Sequence, residues 1–387
     1  MRESRILPIS ATTKWRTLGR LPDTGWPVSV GLILLLLSIS PAPAAQPFRC
    51  GGVIPPVVNA AGKVAARSTS PHRAAILLFA HFADQDLPQT SPTWAADLLD
   101  PNVPGSVPHF YDTMSFGKLL LRGEVAPRRY SSPLPANAYL ATTAGQPGQY
   151  GRFALDILRS ADADIDFRRF DNDGPDGVPN SGDDDGLVDV LFLSIASAPA
   201  GFLLQEATGI ADLGFDGYFL TNDVAADGTP IRIDPRAGMI QAVPDQAQAA
   251  GVMAHEYGHI LGLPDLYNVQ WTSDPSGPEQ DSAGIGNWGL MGWGATGWQG
   301  AAGPNSLSAW SRQQLGWAQT LQPEGIDITA QLQQVGATGQ LYRVPLTARE
   351  YLLLEYRRHS STFYDRGIPA EGLLIWRINR VVSEGRL

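Results

Sequence analysis

Cysteine is nearly absent from this 387-residue chain: Cys50 stands alone. One thiol excludes an internal disulfide and any zinc cluster built from cysteines. Lysine is confined to Lys14, Lys63 and Lys118, and histidine to six positions. Basic residues are outnumbered, 28 against 38 acidic ones, and beyond residue 44 the balance is 23 against 36, a net charge of −13. Such a surface repels nucleic acid and anionic membranes and suits calcium or cationic partners. Long apolar runs are missing as well. The one candidate, Val28 to Ile39, has twelve residues, too few to span a bilayer. It follows a basic stretch and precedes the small-residue site Ala42-Pro43-Ala44, as a cleaved export signal over residues 1–45 would. A secreted or periplasmic product without stable membrane association is expected.

Residues 46–71 are rich in Pro, Gly, Ala and Ser and lack hydrophobic periodicity, which predicts a linker or short pro-segment. Cys50 lies in it and reads as an incidental thiol of a leader. The alternative is a thiolate that caps a catalytic zinc in a latent precursor.

The folded region is expected from His72. Its first segment, His72 to Phe82, reads as a buried strand, and helical spacing follows around Ser91 to Leu99, at Phe110 to Ser115 and over residues 150–161. Lys118 to Val125 and Gly186 to Ala196 read as further strands, so helices alternate with strands as in α/β layering. Residues 200–245 suggest loops and short strands. A helix over Gln246 to Leu261, a Gly/Trp-rich loop over Gly284 to Gly300 and a helix near Ser306 to Leu315 come next. From Ile326 onward, alternating segments predict antiparallel β structure. The expected layout is a catalytic domain over 72–320 and a β-rich part over 321–387, whose end near a strong strand suggests a truncated product.

"AHEYGHILGLPDLY", Ala254 to Tyr267, concentrates the polar chemistry. Four residues separate His255 from His259, so a helix presents both imidazoles on one face, as two corners of a tetrahedral zinc. Glu256 points to the side, positioned to take a proton from a zinc-activated water. Gly262 is placed to end the helix at positive φ, and Asp265 to supply the third ligand from the turn, with Pro264 preventing further helix. The string H-E-x-x-H-x-x-G-x-x-D is the metzincin pattern with Asp in place of the third His. Met291, in "NWGLMGWG", is placed to form the methionine turn beneath the histidines. Tyr257 and Tyr267 are candidates for an oxyanion hydrogen bond, with packing favoured for Tyr257.

"HEYGHILGLPDLY" followed by "WGLMGWG" resembles the immune-inhibitor-A-like family of secreted bacterial metallopeptidases. "FYDTMSFGKLLLRGEV", "LSAWSRQQLGWAQ" and "EYLLLEYRRHSSTFYDRGIPAEGLLIWRIN" are similar to it too, so the likeness covers roughly residues 74–380. The resemblance implies a metzincin-like zinc endopeptidase with mixed sheet and active-site helix, an α/β (α+β) fold, acting on protein or peptide substrates. It supports His255, His259 and Asp265 as zinc ligands and Glu256 as base. Arg377 departs from the family, which has a histidine after the "LLIW" strand, and the family's following calcium-rich and accessory regions are absent from this sequence.

A second stretch, Asp166 to Asp189, crowds aspartates that repel one another unless a cation or solvent intervenes. Asp171, Asp173 and Asp176, with a turn at Gly174, give odd-position oxygen spacing that suits calcium, and Asp183, Asp185 and Asp189 repeat the idea. The twelfth position from Asp171 is Gly182 rather than Glu, which argues against an EF-hand. The resemblance, which includes a comparable D-x-D-G stretch, favours structural calcium over a solvated acidic loop.

The sequence thus points to an exported zinc endopeptidase with Zn2+ and a candidate Ca2+. Two alternatives stand beside it: a peptidase whose third ligand is a later glutamate, Glu279 or Glu324, and a secreted metal-binding or adhesion module without turnover.

Overall fold

The computed structural model describes Cys50 and residues 70–143, 146–203, 207–243, 245–267, 284–298, 303–322 and 331–379. The expected export signal and nearly all of the 46–71 segment lie outside the described residues, as do Glu279 and Glu324. Among the described residues, no helix is long and apolar enough to cross a membrane.

Continuous apolar runs build the centre. β1 (His72–His81) and β3 (Val190–Ile195) pair in parallel, with β2 (Leu120–Ser131) on the outer side of β1. β7 (Gly238–Ala242) joins β3 in parallel, and the two-residue β4 (Gly209–Ile210) closes the edge antiparallel to β7. The sheet order is β2-β1-β3-β7-β4. Parallel strands without alternation of polarity are buried on both faces, and β1 behaves this way. Ala75, Leu77 and Phe79 enter one core, whereas Ala74, Ile76, Leu78 and Ala80 enter the other.

Helices cover those two faces. α2 (Tyr150–Ala161) brings Phe153, Ile157 and Leu158 to the second core at the spacing its apolar periodicity predicts. α1 (Val107–Ser115) and α3 (Gln246–Ile260) cover the first, giving a three-layer arrangement. Ser106 caps α1 through His109 N–H at 3.2 Å, and Phe116, left-handed at φ 57°, ends it. The helix expected around Ser91 to Leu99 is only a 3-10 turn, Ala96–Leu98. Pro92 restricts the backbone before it and supplies no N–H to an α-helical ladder.

Two smaller sheets complete the fold. β5 (Phe219–Val224) and β6 (Pro230–Ile233) form an antiparallel ribbon. β8 (Gln319–Leu321), β9 (Gln340–Pro345), β10 (Glu350–Arg357) and β11 (Gly372–Asn379) form a sheet ordered β11-β10-β9-β8. Its last three strands pair antiparallel, as their alternation predicts, while β8 adds in parallel to β9. Leu341, Tyr351, Leu353 and Tyr364 enter the same core as α1 and α3, so this sheet packs directly on the layer that carries the motif helix.

α3 is buried on every side from Ala249 to His259, which its run of Ala and Gly permits. Asp245 caps it, accepting the Gln248 N–H at 2.9 Å. At Gly251 the helix meets the 3-10 turn Gly294–Thr296 so closely that a Cβ would lie 1.8 Å from the Ala295 carbonyl oxygen. Helix propensity favours Gly251→Ala by about 1 kcal/mol, but the opposing atom is backbone and both elements are packed. The substitution is expected to lower stability by about 1–3 kcal/mol, the usual range for overpacking. Urea unfolding checks it, and an unchanged or raised midpoint would show that the two elements separate freely.

Candidate metal centre

α3 carries the two histidines one turn apart, with ring centroids 4.8 Å from each other and their Nε2 atoms 3.1 Å apart. Each ring is fixed from behind. His255 Nδ1 lies 2.8 Å from the Leu290 carbonyl oxygen and His259 Nδ1 lies 2.7 Å from that of Leu263. A carbonyl only accepts, so Nδ1 carries a proton, and in the neutral form of each ring Nε2 turns its lone pair inward.

The third group arrives on a turn. Gly262 has φ 93°, and the N–H groups of Gly262 and Leu263 bond back to the His259 and Gly258 carbonyls. This closes the helix as its glycine predicts. After Pro264 the chain returns Asp265, whose Oδ1 is 3.0 Å from His255 Nε2 and 3.5 Å from His259 Nε2. A tetrahedral zinc with bonds near 2.05 Å separates its N and O donors by roughly 3.3 Å. The three observed separations bracket that value.

Charge makes the same point. Two imidazoles and a carboxylate share one buried volume, and Asp265 Oδ2 has no hydrogen-bond partner among the described residues. Burial acts to lower the His259 pKa, but the Asp265 carboxylate overrides it and raises it to about 9. Burial acts to raise the Asp265 pKa, and the two histidines instead hold it well below the usual carboxylate range. These groups demand a positive charge between them, which a divalent cation supplies as well as a proton does.

Met291 lies beneath this platform. It is fully buried, and a Cβ on Gly258, the residue before His259, would be 2.6 Å from its sulfur. The same loop holds the segments of His255 and Asp265: Leu290 accepts from His255, and Met291 O accepts the Leu266 N–H at 2.7 Å. The loop is anchored in turn by the C-terminal sheet. Arg357 of β10 donates to the Trp288 carbonyl at 2.6 Å while paired with Asp365, and both charged groups are buried.

Glu256 projects to the side of the histidine face. It is fully buried, burial pushes its pKa up, and Oε1 has no hydrogen-bond partner among the described residues. Its chain packs against the edge strand, where a Cβ on Gly209 would meet Oε1 at 2.6 Å. Tyr267 stands beside it. Burial, reinforced by the charge of Asp265, raises the Tyr267 pKa strongly. Tyr257 instead packs its ring against Tyr111 and Phe192.

Four features of this centre lie beyond the favoured sequence reading, which takes Cys50 as an incidental thiol with a zinc cap as the alternative. Cys50 forms an isolated parallel bridge with Gly209, and its Sγ is 3.4 Å from His259 Nε2 and 3.6 Å from Glu256 Oε2. The carbonyls of Leu263 and Leu290 and the edge strand β4 are the others. Only the thiol had a signal, as the sole cysteine.

The aspartate-rich loop is arranged differently from its sequence spacing. Asp171, Asp173 and Asp184 bring one carboxylate oxygen each within 4.8 Å of the others. Asp184 was not among the expected residues. Asp176, Asp183, Asp185 and Asp189 stand outside that group. Asp176 and Asp185 accept from the backbone two residues on, and Asp183 accepts from Ser181 Oγ. Asp189 accepts the Ala74 and Asn172 N–H groups.

A family model described as the immune inhibitor A peptidase M6 catalytic domain matches residues 99–322, more than half of the chain. The chain belongs to this family. Immune inhibitor A of Bacillus thuringiensis subsp. alesti is 31% identical over 182 residues, which cover 42% of this chain and 26% of that protein. The pre-pro-metalloprotease PrtV of Vibrio cholerae serotype O1 (strain M66-2) is 32% identical over 167 residues, covering 40% of this chain and 16% of that protein. The matched span of the peptidase M6 family model contains His255, Glu256, His259, Asp265 and Met291, whereas Cys50 lies outside it.

Proposed function

We propose that this chain is an exported zinc-dependent endopeptidase, with His255, His259 and Asp265 as the zinc ligands and Glu256 as the general base. The observation that carries this reading is the convergence of two Nε2 lone pairs and a carboxylate, each ring held by a backbone carbonyl through Nδ1. Such outer hydrogen bonds fix the tautomer a metal needs and raise ligand basicity. A zinc ion held there would acidify a water and polarise the scissile carbonyl. Glu256, beside the histidines but outside the ligand set, takes the water's proton and later gives it to the leaving amine. Burial raises its proton affinity toward what that shuttle requires. Tyr267, at the rim, is positioned to donate a hydrogen bond to the developing oxyanion. Peptidase M6 membership and the name of the PrtV relative support a protein substrate. The leader, residues 1–45, supports export.

Two variants, each made in a Cys50→Ala background so that the nearby thiol can neither replace a ligand nor block the site, test the assignment. Glu256→Gln should fold and keep one zinc per chain while casein hydrolysis falls by about 10²- to 10⁴-fold. Asp265→Ala should lose zinc on gel filtration, measured by atomic absorption. Normal zinc content in Asp265→Ala would remove it from the ligand set. Full activity in Glu256→Gln would remove the base.

A structural cation is proposed at Asp171, Asp173 and Asp184, calcium being the hard divalent ion suited to carboxylate oxygens. Asp171 supports it, being buried with Oδ1 lacking a partner. Burial and the neighbouring Asp184 and Asp185 charges raise the Asp171 pKa to about 7, and burial raises that of Asp189 to about 8. Folded pKa values above the unfolded ones mean that the folded state holds the extra protons between about pH 4 and pH 8. Stability without the cation therefore falls as pH rises through that window. Chelated protein should melt lower at about pH 7 than at about pH 5, and millimolar calcium should raise the melting temperature by a few degrees, more so at the higher pH. A melting temperature indifferent to calcium at both would leave these aspartates as solvated groups.

A further inference from the structure

The centre has a fourth donor, supplied by neither the motif helix nor the turn that follows it. Cys50, His255, His259 and Asp265 offer four ligand atoms that all lie within 4.8 Å of one another. Sulfur and nitrogen donors on one tetrahedral zinc, with bonds near 2.3 and 2.05 Å, lie roughly 3.5 Å apart, and Cys50 Sγ is 3.4 Å from His259 Nε2. The backbone of Cys50 is fixed on both sides of its thiol. It bridges Gly209 on the edge strand, and it hydrogen-bonds the Tyr267 hydroxyl. The pocket the thiol enters also contains buried carboxylate oxygens without hydrogen-bond partners among the described residues, Glu256 Oε1 and Asp265 Oδ2.

Resting on the zinc reading above, we infer that Cys50 is a fourth zinc ligand that holds the chain latent, closing the position that a water would otherwise take. A catalytic zinc needs three protein ligands and an open position, whereas four protein ligands make a closed, structural site. The thiol must lose its proton to coordinate. Glu256 Oε2, which already accepts from the thiol at 3.6 Å, is the acceptor in reach, so the base is engaged together with the open corner. The Gly209 bridge places Cys50 itself against the edge strand next to Glu256, at a strand edge of the kind an extended peptide pairs with. Activation then requires only that the Cys50 segment be withdrawn or cut, without rearrangement of α3. Cys50 sits before the folded region that starts near residue 70, in a stretch whose Pro, Gly, Ala and Ser content suits a removable segment.

The test uses the purified full-length chain and its Cys50→Ser and Cys50→Ala variants, loaded with cobalt(II) or zinc. The unsubstituted chain should bind one cobalt and show a thiolate-to-cobalt charge-transfer band in the near ultraviolet. Both variants should lose that band and keep the visible bands of a bound tetrahedral ion. Iodoacetamide should alkylate Cys50 roughly tenfold more slowly in the zinc-loaded chain than after chelation. Casein hydrolysis should be at least roughly tenfold faster in the variants than in the parent, the step expected from opening a closed site. One cobalt per chain without the band, or alkylation at a rate indifferent to metal, overturns the cap and leaves the three-ligand site standing. No metal in parent or variants overturns both together. The band with no hydrolysis by any of the three proteins upholds Cys50 as a ligand and overturns the peptidase reading.

Discussion

Two imidazole nitrogens and a carboxylate oxygen, all electron-rich, are pressed together in a buried pocket. Nothing about that arrangement is favourable without a positive charge between them, because buried like-natured acceptors repel and cannot be relieved by solvent. The surrounding structure is what keeps it from relaxing. Leu290 and Leu263 grip the far nitrogen of each ring, and Met291 O holds the segment after Asp265. Each of these is a backbone atom in a loop whose path is fixed elsewhere, so the donors stay poised at cation-binding spacing.

That fixation depends on parts distant in sequence. The loop bearing Met291 is pinned on one side by close approach of α3 at Gly251 and Gly258, and on the other by Arg357. Arg357 and Asp365 form a fully buried ion pair, a costly arrangement unless its hydrogen bonds are well satisfied. The Trp288 carbonyl provides one of them. The C-terminal sheet is therefore part of the frame of the metal centre rather than an appendage, and the shared core of α1, α3 and β10 carries it.

The sequence made the local geometry legible and the distant contacts obscure. An i, i+4 pair, a glycine and a proline at fixed offsets define where His255, His259 and Asp265 go, because all three sit within eleven residues and obey helix and turn rules alone. β1, β3 and α2 were equally readable, their apolar runs and periodicity being properties of single segments. β7 was less visible: "GMIQA" is short and flanked by Asp- and Gly-punctuated loops, and only pairing with β3 makes it central. The aspartate loop shows the same limit. Odd-numbered spacing suggested Asp176, but Gly177 and Gly182 at positive φ redirect the chain so that Asp184 meets Asp171 and Asp173 instead. Turn conformation, which the sequence marks only by glycine, decided which carboxylates converge.

Cys50 shows why position in a featureless segment is a poor guide to role. Its neighbours give no periodicity, and a thiol in such a stretch carries no local rule that assigns it a partner 209 residues away. What brings it in is the sheet edge. A short antiparallel strand ends the mostly parallel sheet beside the centre, and Cys50 is held there by its bridge to Gly209, a backbone contact indifferent to the side chain. Once backbone pairing sets the register, one side chain must face the pocket, and a residue with a metal-binding atom there becomes a ligand by placement. Edge pairing thus supplies the position and the thiol supplies the affinity. On the inference drawn above, the edge that holds Cys50 is also the edge an extended peptide would pair with, so latency and substrate access draw on one strand.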